Sequence, residues 1–98
     1  MKKSFVYILT NKIKTVIYVG VTIDLLKRIY QHKTKFYKGS ASKYNCDILV
    51  YFEEFDDIRQ AIAREKQIKS GNRKRKEELI NSTNAEWNDL SDGWLFAF

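Results

Sequence analysis

Residues 16–32 read VIYVGVTIDLLKRIYQH, and the fold turns on how this stretch divides. Residues 16–19 are apolar and largely β-branched and stop at Gly20, which reads as a strand. Thr22 or Asp24 can then cap a helix, and Leu25, Leu26 and Ile29 follow at helical spacing until the pattern fails near Thr34. That predicts a helix of roughly ten residues. Upstream, residues 5–9 form a second apolar, aromatic run, separated from the first by a polar turn at residues 10–15. The two runs are expected to pair as an antiparallel hairpin with the helix following directly.

The rest of the chain extends this plan. Residues 34–45, TKFYKGSASKYN, carry glycine, serine and lysines without periodicity and read as a basic surface loop. Residues 48–52 are a third strand, apolar on both faces and therefore central or covered on both sides. Asp56 or Asp57 opens a helix whose apolar stripe is Ile58, Ala61, Ile62 and Ile68 and whose stop signal is Gly71. A short, strongly charged helix is predicted over residues 73–80. The acidic segment 81–98 holds Trp87, Leu90, Trp94, Leu95 and Phe96, too much apolar surface to leave in water, and is expected to pack on the sheet or in an interface. The expectation is an α/β fold of the α+β kind, a three-stranded antiparallel sheet flanked by about three helices in one domain spanning residues 1–98.

Composition narrows the functional classes. A chain of 98 residues, 44% of them hydrophobic, suits one modest core, and a single cysteine, Cys46, excludes an internal disulfide framework. Lys2 and Lys3 followed by an apolar run imitate a signal peptide, but the run ends at Asn11 without a small-residue cleavage pattern. No run approaches the ~18 apolar residues of a membrane span. A soluble, cytoplasmic monomer without membrane contact is expected. The net charge of +6 is unevenly spread: residues 1–76 hold all 18 basic residues against seven acidic ones, a balance of +11. Such a field suits a polyanion such as DNA, and equally a solvated lysine-rich surface. Lys35, Lys38 and Lys43 in the loop, with Arg73, Lys74, Arg75 and Lys76, are the basic residues placed to meet phosphates.

Three constellations can carry chemistry. If Thr10 pairs with Thr15, Tyr7 lies opposite Tyr18 on one face, and Gly20, lacking a side chain, lets a ligand approach the backbone. The same pair also serves as an ordinary cross-strand aromatic contact. Arg28 and His32, four apart, share a helical face; a guanidinium suits phosphate oxygens and an imidazole moves protons near neutral pH, although each singly is an ordinary polar residue. Glu65 falls within about 20° of Ile58 around its helix, inside the apolar stripe, so its charge must be matched. Lys69 one turn on is one match, and a divalent metal is the other. Cys46 lacks an orienting partner for nucleophilic work, zinc ligands are missing, and no phosphate-binding glycine loop is present.

Taken together, Phe5-Val6-Tyr7, Tyr18-Val19-Gly20, Arg28, His32 and the distant Glu65 resemble the GIY-YIG nuclease superfamily, and more narrowly its small stand-alone bacterial members, over nearly the whole chain. The resemblance implies cleavage of DNA phosphodiesters with one Mg²⁺ or Mn²⁺. It implies Tyr7 as general base toward the attacking water, Tyr18 as an orienting group and Arg28 as the stabiliser of phosphorane charge. His32 would assist proton transfer or orient a tyrosine, and Glu65 would be the metal ligand. Phe5 replaces the usual first glycine, and the late asparagine of many relatives has three candidates, Asn72, Asn81 and Asn84.

Overall fold

Val6, Tyr7, Ile8 and Leu9 are all fully buried, and a strand buries successive side chains only when both of its faces are covered. In the computed structural model, which describes residues 2–35 and 39–96, they lie in β1 (Ser4–Thr10), the middle strand of an antiparallel sheet ordered β2-β1-β3. Its neighbours are β2 (Ile17–Thr22) and β3 (Ile48–Phe55). Among the described residues four helices cover the sheet, α1 (Leu25–Lys33), α2 (Ser40–Lys43), α3 (Ile58–Ser70) and α4 (Arg73–Thr83). On one face Tyr7 and Leu9 pack with Leu25 and Ile29 of α1, Ala41 of α2, and Leu49. On the other, Val6 and Ile8 pack with Ala61 and Ile68 of α3 and Ile80 of α4. Side chains cap three helices: Asp24 accepts from the Lys27 amide, Asp57 from that of Arg59, and Asn72 from that of Arg75.

Several details correct the sequence reading. Tyr7 pairs with Gly20 and Tyr18 with Leu9, so the register expected from Thr10 and Thr15 is displaced by two residues. Asn11 is the cause: its Oδ1 accepts from the amides of Thr15 and Val16 at 2.8 and 3.0 Å, while Thr10 Oγ1 donates to the Val16 carbonyl at 2.8 Å. Both residues are thereby held in the turn, and the strand starts at Ile17. A two-residue displacement preserves facing, so both tyrosines still point to the α1 side. Within the stretch expected to be loop, α2 forms; it buries Ala41, whose carbonyl accepts from the Cys46 amide at 2.8 Å. On α3 only Ala61 and Ile68 face the core, while Ile58 and Ile62 are 37% and 38% exposed. The stripe read from the sequence is therefore split, with Glu65 between its inward and outward residues.

β3 is an edge strand with both faces of its first half buried. A bulge at Val50, between the pairs Ile8–Tyr51 and Leu9–Leu49, kinks it. The segment after α4 closes this edge. The Leu90 amide donates to the Leu49 carbonyl at 2.7 Å, the Leu49 amide to Asp89 Oδ1 at 3.2 Å, and Asn84 Nδ2 to the Val50 carbonyl at 3.1 Å. Outward-facing backbone that would otherwise template another strand is thus occupied. Asp89 joins the elements: its carboxylate also accepts from Ser91 and from Lys33 Nζ of α1 at 2.7 Å. Among the described residues no helix is long and apolar enough to cross a membrane.

Asp89→Ala removes four hydrogen bonds to partly buried partners and should cost about 2–3 kcal/mol in chemical denaturation, with faster amide exchange at Leu49 and Leu90. Burial raises the Asp89 carboxyl, but Lys33 and Ser91 outweigh it and hold the group below its ordinary 3.8. Its contribution is present above that value and lost as pH falls below it through the lower folded pKa, so acid should loosen this edge in the native chain and not in Asp89→Ala.

Candidate active site

Gly20 decides where Tyr7 goes. A Cβ at Gly20 would stand 2.4 Å from both Cζ and Oη of Tyr7. The phenol ring therefore crosses from β1 over the backbone of β2, and its hydroxyl ends above the outer strand of the sheet. Gly20 leaves room for Tyr7, not for the ligand expected from the sequence. Tyr18, two residues before Gly20, lies beside it with ring centroids 6.4 Å apart.

α1 supplies the roof. Leu25 and Ile29 anchor it to the sheet, and the same helical face carries His32, itself buried. Tyr7 Oη and His32 Nε2 share a buried hydrogen bond of 3.0 Å. The imidazole centroid lies 5.7 Å from the Tyr7 ring and 5.5 Å from the Tyr18 ring, so the three rings form a triangle. Burial, then the nearby Tyr18, raise the pKa of the Tyr7 phenol well above the ordinary 10, while the Arg28 guanidinium beside it pulls the other way. Burial and the same guanidinium push His32 down to about 4. Both groups are neutral at pH 7, and a neutral imidazole with a bare Nε2 is a proton acceptor for the phenol.

Glu65 reaches the site from the other helical layer. α3 packs against both β1 and β2, and the Glu65 carboxylate acts on Tyr7 by raising its pKa, opposing Arg28. The carboxylate is 15% exposed and meets Lys69 Nζ at 3.3 Å, the cation one helical turn on. No cluster of three or more His, Cys, Asp or Glu exists among the described residues. A lone, partly exposed carboxylate suits Mg²⁺ or Mn²⁺ that keeps most of its waters, and suits no ion that needs a full protein cage. Tyr7, Tyr18, Arg28, His32 and Glu65 are thus gathered at one edge of the sheet.

The residues expected to meet phosphates divide. Arg73 is taken up by structure: its guanidinium donates to the carbonyls of Thr15 and Lys14 at 2.7 and 2.8 Å and pairs with Glu77, fixing α4 to the hairpin turn. Lys74 and Arg75 are exposed on α4, with Lys76 half-buried beside them; Lys35 and Lys43 are exposed near α2, and Lys38 lies outside the described residues. The three asparagines all have local duties. Asn72 caps α4, Asn81 accepts from Trp87 Nε1, and Asn84 holds Val50 and Asn88. The role of Gly20 was hidden from the sequence, since the clash it prevents depends on a register that Asn11 sets.

A family model described as the GIY-YIG catalytic domain matches residues 3–78. The UPF0213 protein of Syntrophus aciditrophicus is 36% identical over 81 residues, covering 82% of this chain and 92% of that protein. That of Clostridium perfringens is 40% identical over 83 residues, covering 81% and 84%. The solution NMR structure of the UPF0213 protein of Bacillus halodurans matches with a TM-score of 0.56 at 24% identity, covering 93% of this chain and 97% of that one, a likeness of fold.

Gly20→Ala should destabilise the chain by about 1–3 kcal/mol, the range for overpacking, because the Tyr7 ring is fully buried and cannot swing into water. Equilibrium denaturation checks this, and a stability equal to wild type would contradict the close approach. His32 predicts a pH dependence. Its folded pKa of about 4 lies below the ordinary 6.5, so between those values the unfolded chain takes up a proton that the folded chain refuses. Stability should fall as pH drops through that window, and NMR should find the imidazole titrating near 4 instead of near 6.5.

Proposed function

The chain belongs to the GIY-YIG catalytic-domain family, a family of nuclease type, and from that premise we propose that it is a divalent-metal-dependent endonuclease hydrolysing DNA phosphodiesters in DNA repair or processing. The observation that carries this reading is the buried Tyr7–His32 hydrogen bond, made between two neutral groups beside Arg28. In this reading the attacking water gives its proton to Tyr7 Oη as the Tyr7 proton passes to His32 Nε2; the phenol stays neutral, and the imidazolium formed is offset by the negative charge the attack places on the phosphate. Passing the proton on spares the phenol a positive charge, and His32, held near 4 by burial and Arg28, takes it up only as negative charge grows on the phosphate. Arg28 neutralises charge that grows on the phosphorane, and Tyr18 orients the phosphate and water. Glu65 would hold one Mg²⁺ or Mn²⁺, which supplies further neutralising charge beside the phosphate.

A second reading, a nucleic-acid-binding module that retains the fold without chemistry, is favoured by the ion pair that Glu65 makes with Lys69. Supercoiled plasmid and branched or flapped duplexes, incubated with Mg²⁺ or Mn²⁺, separate the two. Cleavage should occur, stop in EDTA, and fall at least about 100-fold in Glu65→Gln and in Arg28→Ala. No cleavage of any substrate, or cleavage undiminished in both variants, sinks the enzymatic reading; salt-dependent binding that persists in EDTA would then leave the module. Because Lys69 competes for the carboxylate, Lys69→Met should lower the Mn²⁺ concentration for half-maximal activity by a few fold, roughly two to five, the range of a partly exposed ion pair.

A further inference from the structure

Arg28 faces two ways. Besides acting on Tyr7 and His32, it lines a groove of about 660 Å³ at the open end of the sheet, together with Lys2, Lys3, Lys27, Thr22 and Asp24. The Asp24 carboxylate accepts from the Lys27 amide as a helix cap, and Lys3 is paired with Asp56. Lys2 and Lys27 are exposed and make no ion pair among the described residues. At Phe5, Leu25 and Leu26 this groove adjoins a second, of about 870 Å³, that is mostly apolar. Phe52 and Trp94 stand there edge to face, 6.3 Å apart, and Phe52 and Leu26 are 39% and 36% exposed. Among the described residues that line it, Glu54 is the one with a charge.

We propose that these adjoining grooves form a track for an unpaired nucleic-acid strand leading away from the reacting phosphate, with its phosphates on Lys2, Lys27 and Arg28 and its bases against Phe5, Phe52 and Trp94. The proposal rests on Arg28 being the residue beside the scissile phosphate. Charge complementarity selects the occupant of the basic end, because each phosphate met by a lysine releases counterions. The aromatic end selects an unpaired strand. A duplex keeps its bases stacked inside and presents only phosphates, which would leave Phe52 and Trp94 uncovered, whereas free bases stack on such rings whatever their identity. Glu54 turns phosphates away from the apolar end and so fixes which part of the strand lies where.

Fluorescence anisotropy in EDTA, using a labelled twelve-nucleotide oligo(dT) strand and the corresponding dA·dT duplex, tests this without any cleavage. Lys2→Glu with Lys27→Glu should weaken binding of the single strand about tenfold at 100 mM salt, and lower the slope of log affinity against log salt by about 1.4, two phosphates' worth. Phe52→Ser, on the exposed side of an edge strand, should weaken the single strand about fivefold and the duplex by less than twofold. Thermal denaturation establishes that each variant is folded. Single-strand binding equal to wild type in both folded variants overturns the proposal, as does binding lost only on Lys74→Glu with Lys76→Glu. A chain that never cleaves DNA still passes this test and one that cleaves can fail it, so the track and the enzymatic reading stand or fall separately.

Discussion

The ring of Tyr7 lies against the backbone of Gly20, and much else in the molecule follows from that contact. Any side chain at position 20 would occupy the space of the phenol, so the glycine lets a residue of the middle strand extend over the outer one. There its hydroxyl meets His32 from α1 and comes within electrostatic reach of Glu65 from α3. The two helical layers lie on opposite faces of the sheet, so they can contribute to one site only at an edge. The phenol has to be carried to that edge.

The same burial that packs the core sets the chemistry. Tyr7 is fully enclosed and His32 nearly so, and enclosure disfavours the charged form of each: the phenol keeps its proton and the imidazole does not take one up. Arg28 is the local charge that biases both, drawing the phenol toward ionisation while keeping the imidazole neutral. A proton moved across this hydrogen bond makes a buried imidazolium beside Arg28, so the transfer needs the negative charge that grows on an attacked phosphate to offset it. The opposite edge of the sheet is treated differently. At β3 a carboxylate, an asparagine and one backbone pairing close the strand, which leaves the β2 edge to the site.

How far the sequence could be read depended on whether each feature is local. Strands, helix caps and the grouping of Tyr7, Tyr18, Arg28 and His32 follow from periodicities of two and 3.6, and these were legible. The register was not, because it rests on the side chain of Asn11 catching two amides in the turn. The error was harmless to facing, since a two-residue displacement returns every side chain to its own side. α2 escaped because four residues are too few to display a period. Arg73 read as a phosphate contact because a cation in a basic run looks alike whether it meets solvent or, as here, the carbonyls of Lys14 and Thr15. Glu65 stands out in the sequence by its place in an apolar stripe, yet the stripe itself is split by the way α3 lies on the sheet, with Ala61 and Ile68 inward and Ile58 and Ile62 outward. That tilt keeps the Glu65 carboxylate partly open to water.

What distinguishes a nuclease from a decorated binding surface is therefore the partner that Glu65 takes. A crystal soaked in Mn²⁺ and measured at the manganese absorption edge locates the ion directly. The proposed chemistry predicts one anomalous peak within bonding distance of the Glu65 carboxylate, on the side of Tyr7 and Tyr18, with Lys69 displaced from it. A crystal at saturating Mn²⁺ with no peak there, and with Glu65 still closed on Lys69, would contradict it.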